Sequence, residues 1–501
     1  MNYVKRIFLI LFILLGSNVL AQKKTTTIHI LNADKADYDA RLGKDVQRLI
    51  GNVIMRQDST YFYSDSAYYY EKTKFFDGFG NVHIKVNDST DIYSKLLKYN
   101  GETKFAELFH DVVLKDDSTV LNTEYMTYDR IKHLATYPDN GKITRNDKKL
   151  VSVKGYYRDD IKVAYFRKDV VGTMPDNKIV SDTLVYDTEN EMMYFFGPTT
   201  IYNKDNTLYG HYGWYNTDTE FAYLDQRATL RSKEQILIAD TMYYDKKAGY
   251  AKALSDVILE DTTYKAIIKG EFAELWKNQG KCMITDNMRG IYYEEQDTLF
   301  AKADTAYVYF DTITDDIQRI KAFYNVRFYR NDIQGRCDSL HYVVADSTVY
   351  MRVDPILWAE DAQMTGDSIN IVIKERAIDS VLIHPNGFII QQDSISGFNQ
   401  IKGKQITAYF KANEMDHMFN KGNAETIYWL REDDGSLIGI NLSQSSEMDI
   451  KINDRKISNI RYYQSIKETL YPEEQLPKEQ EYLKGFNWQE DIKPKREDFV
   501  F

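Results

Sequence analysis

The chain alternates apolar and polar positions with a period of two through most of its length. In "NVHIKVND", Val82, Ile84 and Val86 fall on one face and His83 and Lys85 on the other, the pattern of a half-buried strand. "SDTLVYDTENEMMYFFG", from Ser181 to Gly197, reads as strand, turn at Asp187–Asn190, and strand again. The position before each apolar phrase falls at Asn52, Asn81, Asp111, Gly141, Asp169, Pro198, Arg227 and Asp256, with steps near 29 residues. A looser continuation runs through Met288, Asn325, Pro355, Asn386 and Ala424. A fixed period of this size marks a repeat architecture. Each unit is two long strands with polar corners, so consecutive units form an antiparallel meander. One apolar face throughout requires the strands to fold over until two such faces meet. A parallel β-helix is the competing solenoid, and the hairpin-like turns favour the meander over it.

Before the repeats, "MNYVKRIFLILFILLGSNVLAQ" has a basic start, a short apolar run and small residues at Val19 and Ala21. This predicts a secretory signal peptide over residues 1–21. No later run approaches the ~20 apolar residues of a spanning helix. Regular repeats are expected over 22–287 and less regular ones over 288–464. From 465 to 501 a tail rich in proline and charge loses the alternation; it reads as an extended or partly helical cap on the end of the array, with a docking segment as the alternative.

Composition sharpens this picture. The formal charge of −11 argues against a nucleic-acid partner. Forty tyrosines suit strands and positions that are apolar at one end and wet at the other. Cys282 and Cys337 lie too far apart in a stack of strands to bridge. The recurring Asp58-Ser59, Asp88-Ser89, Asp117-Ser118, Asp182-Thr183, Asp240-Thr241, Asp304-Thr305, Asp338-Ser339 and Asp367-Ser368 are spread one per strand corner. They read as turn residues that hydrogen-bond nearby backbone. The histidines show no metal-binding spacing, and no nucleophile–base set or phosphate loop appears. The expectation is a non-enzyme with no cofactor and no metal.

"GNVHIKVNDS" alternating with "SDTLVYDTENEMMYFFGPTTIYN", and the closing "ETIYWLREDDGSLIGINLSQSSEMDIKINDRKISNIRYY", resemble the OstA-like family of lipopolysaccharide transport in its long Bacteroidetes-type form. That family includes the periplasmic bridge protein LptA. The resemblance spans roughly residues 28–497 and implies an elongated, open, V-shaped antiparallel β-jellyroll in the periplasm, with outer-membrane association as a further expectation. Its apolar trough would shield the acyl chains of lipid A. Its implied partners are lipopolysaccharide, the inner-membrane export complex, the outer-membrane translocon and, head to tail, further copies. The alternation puts Val82, Ile84, Val86, Val112, Leu114, Ile201, Leu230, Val257, Leu259, Val326, Phe328, Ile356 and Trp358 on the inward face as candidate groove residues. An outer-membrane β-barrel, or a secreted β-solenoid acting as adhesin or sugar binder, is the alternative reading.

Overall fold

The computed structural model describes residues 27–499, apart from 39–42, 44, 294–297, 360, 394, 412–413, 433 and 454–455. The expected signal peptide lies outside the described residues. The chain divides into two units that meet in sequence at Met192 and Met193. Both are all-β, and the described strand pairings are antiparallel.

In the first unit, the strands Val46–Gln57, Thr60–Tyr70, Phe75–Lys85, Thr90–Asn100, Phe105–Asp116 and Thr119–Asp129 each pair with the next. Two strands and their two turns fill the repeat, as the spacing predicts. The turns have two chemistries. At one end Asp58 takes a left-handed conformation, φ 57°, in a tight hairpin. At the other, Asn100 Oδ1 accepts from the backbone N–H groups of Glu102 and Thr103, at 2.9 and 3.1 Å. Asp129 does the same for Ile131 and Lys132. These side chains satisfy backbone donors that the ladder leaves open.

The periodic anchor positions mark a bend in mid-strand. Gly80 and Asn81 both have positive φ, 71° and 44°, and the ladder skips there, from Phe79↔Leu96 to Val82↔Ser94. The pairs His110–Asp111 and Lys168–Asp169 repeat this in the first unit. Gln226–Arg227, Ser255–Asp256, Asp286–Asn287 and Tyr324–Asn325 repeat it in the second. Such a bulge bends the strand and increases its twist, so its two halves face one another. Phe62 on one half meets Phe76 and Tyr99 on the other, at ring separations of 5.1 and 4.6 Å.

The Asp-Ser/Thr phrases divide between these two kinds of corner. Asp58-Ser59, Asp88-Ser89 and Asp117-Ser118 are hairpin turns. Asp182, Asp240, Asp304 and Asp338 instead lie inside strands, at the ladder gaps opposite a bulge, and Asp367 precedes the strand Ser368–Lys374. Both places leave backbone donors unpaired, so one local sequence serves both.

The second unit continues with long bent strands through Ile333–Val343. Beyond it the bend splits the strand into Thr348–Arg352 and Ile356–Ala359. Val353 and Asp354 are left-handed there and Pro355 follows, which has no N–H for the ladder. Cys282 and Cys337 are free thiols. Lys467–Tyr471 is a last strand paired with Leu437–Asn453. The remaining tail folds back across the outer face as short 3-10 turns, rather than covering the end of the array. Gln400, fully buried, donates to the Glu481 carbonyl at 2.9 Å and accepts from the Leu483 N–H at 2.8 Å. Gln363 holds Asn487 and Gln489 in the same way, both at 2.7 Å. Phe499 reaches the rings of Phe300 and Tyr329.

Candidate functional site

The inner faces of the two units use the same alternation to different ends. In the first unit one inward row runs directly across neighbouring strands: Met55, Phe62, Ile84, Ile92, Leu114, Leu121, Ile143 and Leu150. None of them exceeds 2 % exposure. On the facing halves, large and small residues alternate as Tyr99, Ala106, Tyr128, Ala135, Tyr157, Ala164 and Tyr186. Interleaving big and small side chains fills the space between the layers.

The tyrosine hydroxyls end at a polar seam where the hairpin tips of the two halves meet. Arg130 donates to Gln57, the Tyr99 hydroxyl and Thr60, at 3.1, 2.6 and 2.6 Å. Tyr157 and Lys162 both donate to buried Asp116 at 2.7 Å. Tyr128 donates to Asp159 at 2.8 Å. Lys148 and Tyr186 close on Glu191. Burial pushes the Tyr99 phenol up to about 12. Burial, helped by the facing carboxylates Asp159 and Asp116, also raises those of Tyr128 and Tyr157. The first unit is a filled sandwich with a stitched edge.

In the middle of the second unit the same inward rows are only half-buried. One carries Leu230, Leu237, Leu259 and Ile268. The facing one carries Leu275, Cys282, Val308, Ile320 and Tyr342. Near the bend the buried positions include Ala228, Ala239, Ala253, Ala273, Ala303, Ala306 and Ala322, interspersed with larger residues such as Leu224, Met242, Ile284 and Met288. On the tyrosine side of the bend, the first-unit row Ala67, Gly78, Leu97, Leu108 and Met126 corresponds to Leu224, Met242, Ala253, Ala273, Ile284, Ala306 and Ala322 in the second. Small floor residues and uncovered walls leave an apolar trough. The tyrosine–alanine ladder persists only through Tyr215, Ala222, Tyr244 and Ala251, after which Leu275 takes the tyrosine's place.

The residues expected on the inward face are therefore divided. Val82, Ile84, Val86, Val112 and Leu114 lie in the sealed core of the first unit. Ile201, Val257, Val326 and Phe328 are buried in the second, and Leu230 and Leu259 line the open part of its trough. Ile356 and Trp358 are a correction: they point outward. Inward positions on their strand are Leu357, opposite Gly335 and Met364, and Ala359. After each bulge the first residue beyond the left-handed pair points inward, as Val82 does after Asn81. Here that residue is Pro355 itself, so an anchor set one residue late turns the strand over. Trp358, 1 % exposed, lies opposite Gln363, which binds the tail.

Sequence reasoning missed the seam, the trough walls Leu275, Val308 and Ile320, and the alanine floor. One signal was available: Tyr99, Tyr128, Tyr157, Tyr186, Tyr215 and Tyr244 follow one another in steps of 29 residues. Among the described residues no group of three or more His, Cys, Asp or Glu side chains could hold a metal ion. No described helix is long and apolar enough to cross a membrane.

No curated protein matches the chain in sequence. Among solved structures, the chain is similar to LptH of Pseudomonas aeruginosa, described as the LptA-homologous periplasmic component of the conserved lipopolysaccharide transport device. That similarity covers 28 % of this chain and 95 % of LptH, with 11 % identity and a TM-score of 0.22. A family profile described as OstA-like protein matches residues 25–182 and 174–240. In its first 240 residues, with their bent antiparallel strands and apolar inner face, the chain is thus similar to the OstA-like family.

Proposed function

We propose that the protein is a periplasmic carrier of lipopolysaccharide, holding the acyl chains of lipid A in the trough of the second unit. In this reading it links the inner-membrane export complex to the outer-membrane translocon. The similarity of residues 25–240 to the OstA-like family supports the cargo. The observation that carries the reading is the half-exposed apolar lining from Leu230 to Ile268 and from Leu275 to Tyr342. Each CH₂ kept from water there contributes about 0.8 kcal/mol, so an acyl chain needs a dry path and no chemistry. Head-to-tail association has support in the strand His29–Asn32, which pairs on one side with Val46–Gln57 and carries half-exposed Leu31. Among the described residues no strand pairs with its other edge, which could accept a further strand.

The barrel alternative fares worse. The outward mid-strand positions of the second unit include Lys302, Arg327 and Arg336. On a lipid-facing band each would cost roughly 2–4 kcal/mol at the midplane.

A photo-crosslinking amino acid at Leu259 or Val308 tests the carrier reading in cells. Lipopolysaccharide adducts are expected at both positions and none at Ile84. Absence of adducts at both trough positions would overturn it.

A further inference from the structure

On the outer face of the second unit, five neighbouring strands place cations directly opposite one another. Lys269 pairs with Arg289, Arg289 with Lys302, Lys302 with Arg327, and Arg327 with Arg336. Directly opposed like charges destabilise a sheet, so a row of them opposes folding. Lys269 and Arg289 are already engaged. Among the described residues, Lys302, Arg327 and Arg336 make no ion pair, and all three are half-exposed. Glu271, Asp304 and Asp338 stand two residues along their strands at the bend, without closing on these three. On the other side of the row the tail adds Arg496, with its guanidinium over the Phe300 ring at 5.8 Å.

We propose that Lys302, Arg327 and Arg336 form a docking site for an acidic, extended polypeptide segment of a partner protein. The segment lies across the strands beside the chain's own tail. Three features select this occupant. The row is one residue wide and steps by the strand spacing of about 4.8 Å, which suits a linear anion. Its two arginines offer forked donors that match carboxylates. The adjoining row, with Phe300, Tyr329 and Gln363, already holds a polypeptide crossing the same strands, namely residues 487–499 of the tail. The acids along the bend would repel a flat anionic bilayer, so a membrane surface fits less well.

The test uses the full chain and a fluorescein-labelled oligoglutamate peptide, followed by anisotropy at low and at physiological ionic strength. The triple variant Lys302→Gln/Arg327→Gln/Arg336→Gln should weaken binding by at least about tenfold through lost charge-assisted contacts. The exposed-cation control Lys142→Gln/Lys178→Gln should bind like the wild type. With the repulsion relieved, the triple variant should also unfold at a temperature no lower than the wild type. Any of four results would overturn the proposal: no binding by the wild type, equal loss in the control, earlier unfolding of the triple variant, or stronger dependence of anionic vesicle or polyphosphate binding on the same three residues.

Discussion

Lys162 Nζ lies 2.7 Å from both carboxylate oxygens of Asp116, a residue 46 positions earlier on the opposite side of the first unit's seam. The Asp116 side chain is fully buried and also accepts from the hydroxyls of Tyr157 and Thr90, at 2.7 and 3.1 Å. The pair thus joins strand tips that no backbone ladder connects. Lys162→Met would leave a buried carboxylate without its counter-ion, at a cost of about 3–5 kcal/mol. Adding Asp116→Asn should recover much of that loss. Urea unfolding of the two single variants and the double variant measures the coupling; additive losses would show that the contact does not hold the seam.

Alkali should open the same seam. Burial raises the phenols of Tyr99 and Tyr137 to about 12, and it raises Tyr128 and Tyr157 as well. Burial works against the charge of Lys162, yet Asp116 and Asp117 outweigh it and raise its pKa too. All these groups hold their protons more tightly when folded. Their contribution is complete below the unfolded values near pH 10 and is lost as pH rises through the folded ones. Exposed tyrosines should titrate first. The buried set should ionise in one step with the loss of circular dichroism, whereas a gradual titration without unfolding would contradict a sealed seam.

Ile84→Arg and Leu259→Arg occupy equivalent inward rows and should behave differently. Ile84 is 0 % exposed in a filled core, so an unpaired charge there should unfold the first unit. At half-exposed Leu259 the guanidinium reaches water along the trough, and the change in stability should stay within about 1 kcal/mol. Lipopolysaccharide crosslinking at Val308 should nevertheless fall. Thermal unfolding and crosslinking of the same samples decide between a trough and a second filled core.

Gln400→Ala removes both hydrogen bonds that clamp the tail at 481–483, at about 1–3 kcal/mol for the backbone groups left unpaired. The tail should then loosen over the outer face that buries Trp358. Tryptophan emission should move to longer wavelength, and limited proteolysis should cut the tail sooner. Unchanged emission and cleavage would mean that Gln363 and the aromatic contacts suffice.

Asn81→Ala tests the bend. Asn81 has φ 44° and donates through Nδ2 to Asp65 at 3.0 Å. Alanine in that left-handed conformation costs roughly 1–2 kcal/mol and also loses the hydrogen bond. Asn81→Gly should cost less because glycine relieves the backbone. Equal losses in the two variants, measured by denaturant midpoints, would assign the whole effect to the hydrogen bond.

The strand phases, the repeat and the turn chemistry were legible because each is written within a few residues. The alternation around Val82, Ile84 and Val86 and the Asx turns at Asn100 and Asp129 need no distant partner. At Pro355 the same local reading failed by one position, because proline interrupts the strand where the bulge ends. The contrast between Leu114 and Leu259 was not legible at all. Both are leucines at the same phase, and their exposure depends on whether distant tips such as Gln57 and Arg130 meet above them. The tail's destination was equally hidden, since Gln363 and Gln489 are 126 residues apart in sequence.

The stitched seam also has a mechanical consequence. A thin-walled section that closes on itself resists twisting far more than the same wall with a slit along it. The contacts of Arg130, Asp116 and Glu191 close the wall of the first unit. The second unit has sparser contacts of this kind, Asn206 to the Tyr244 hydroxyl at 3.2 Å and the Ile317 N–H to the Tyr264 hydroxyl at 3.1 Å, so its wall is closed only at points. Torsional fluctuation should therefore be damped within the first unit and freer within the second, where each twist widens or narrows the trough.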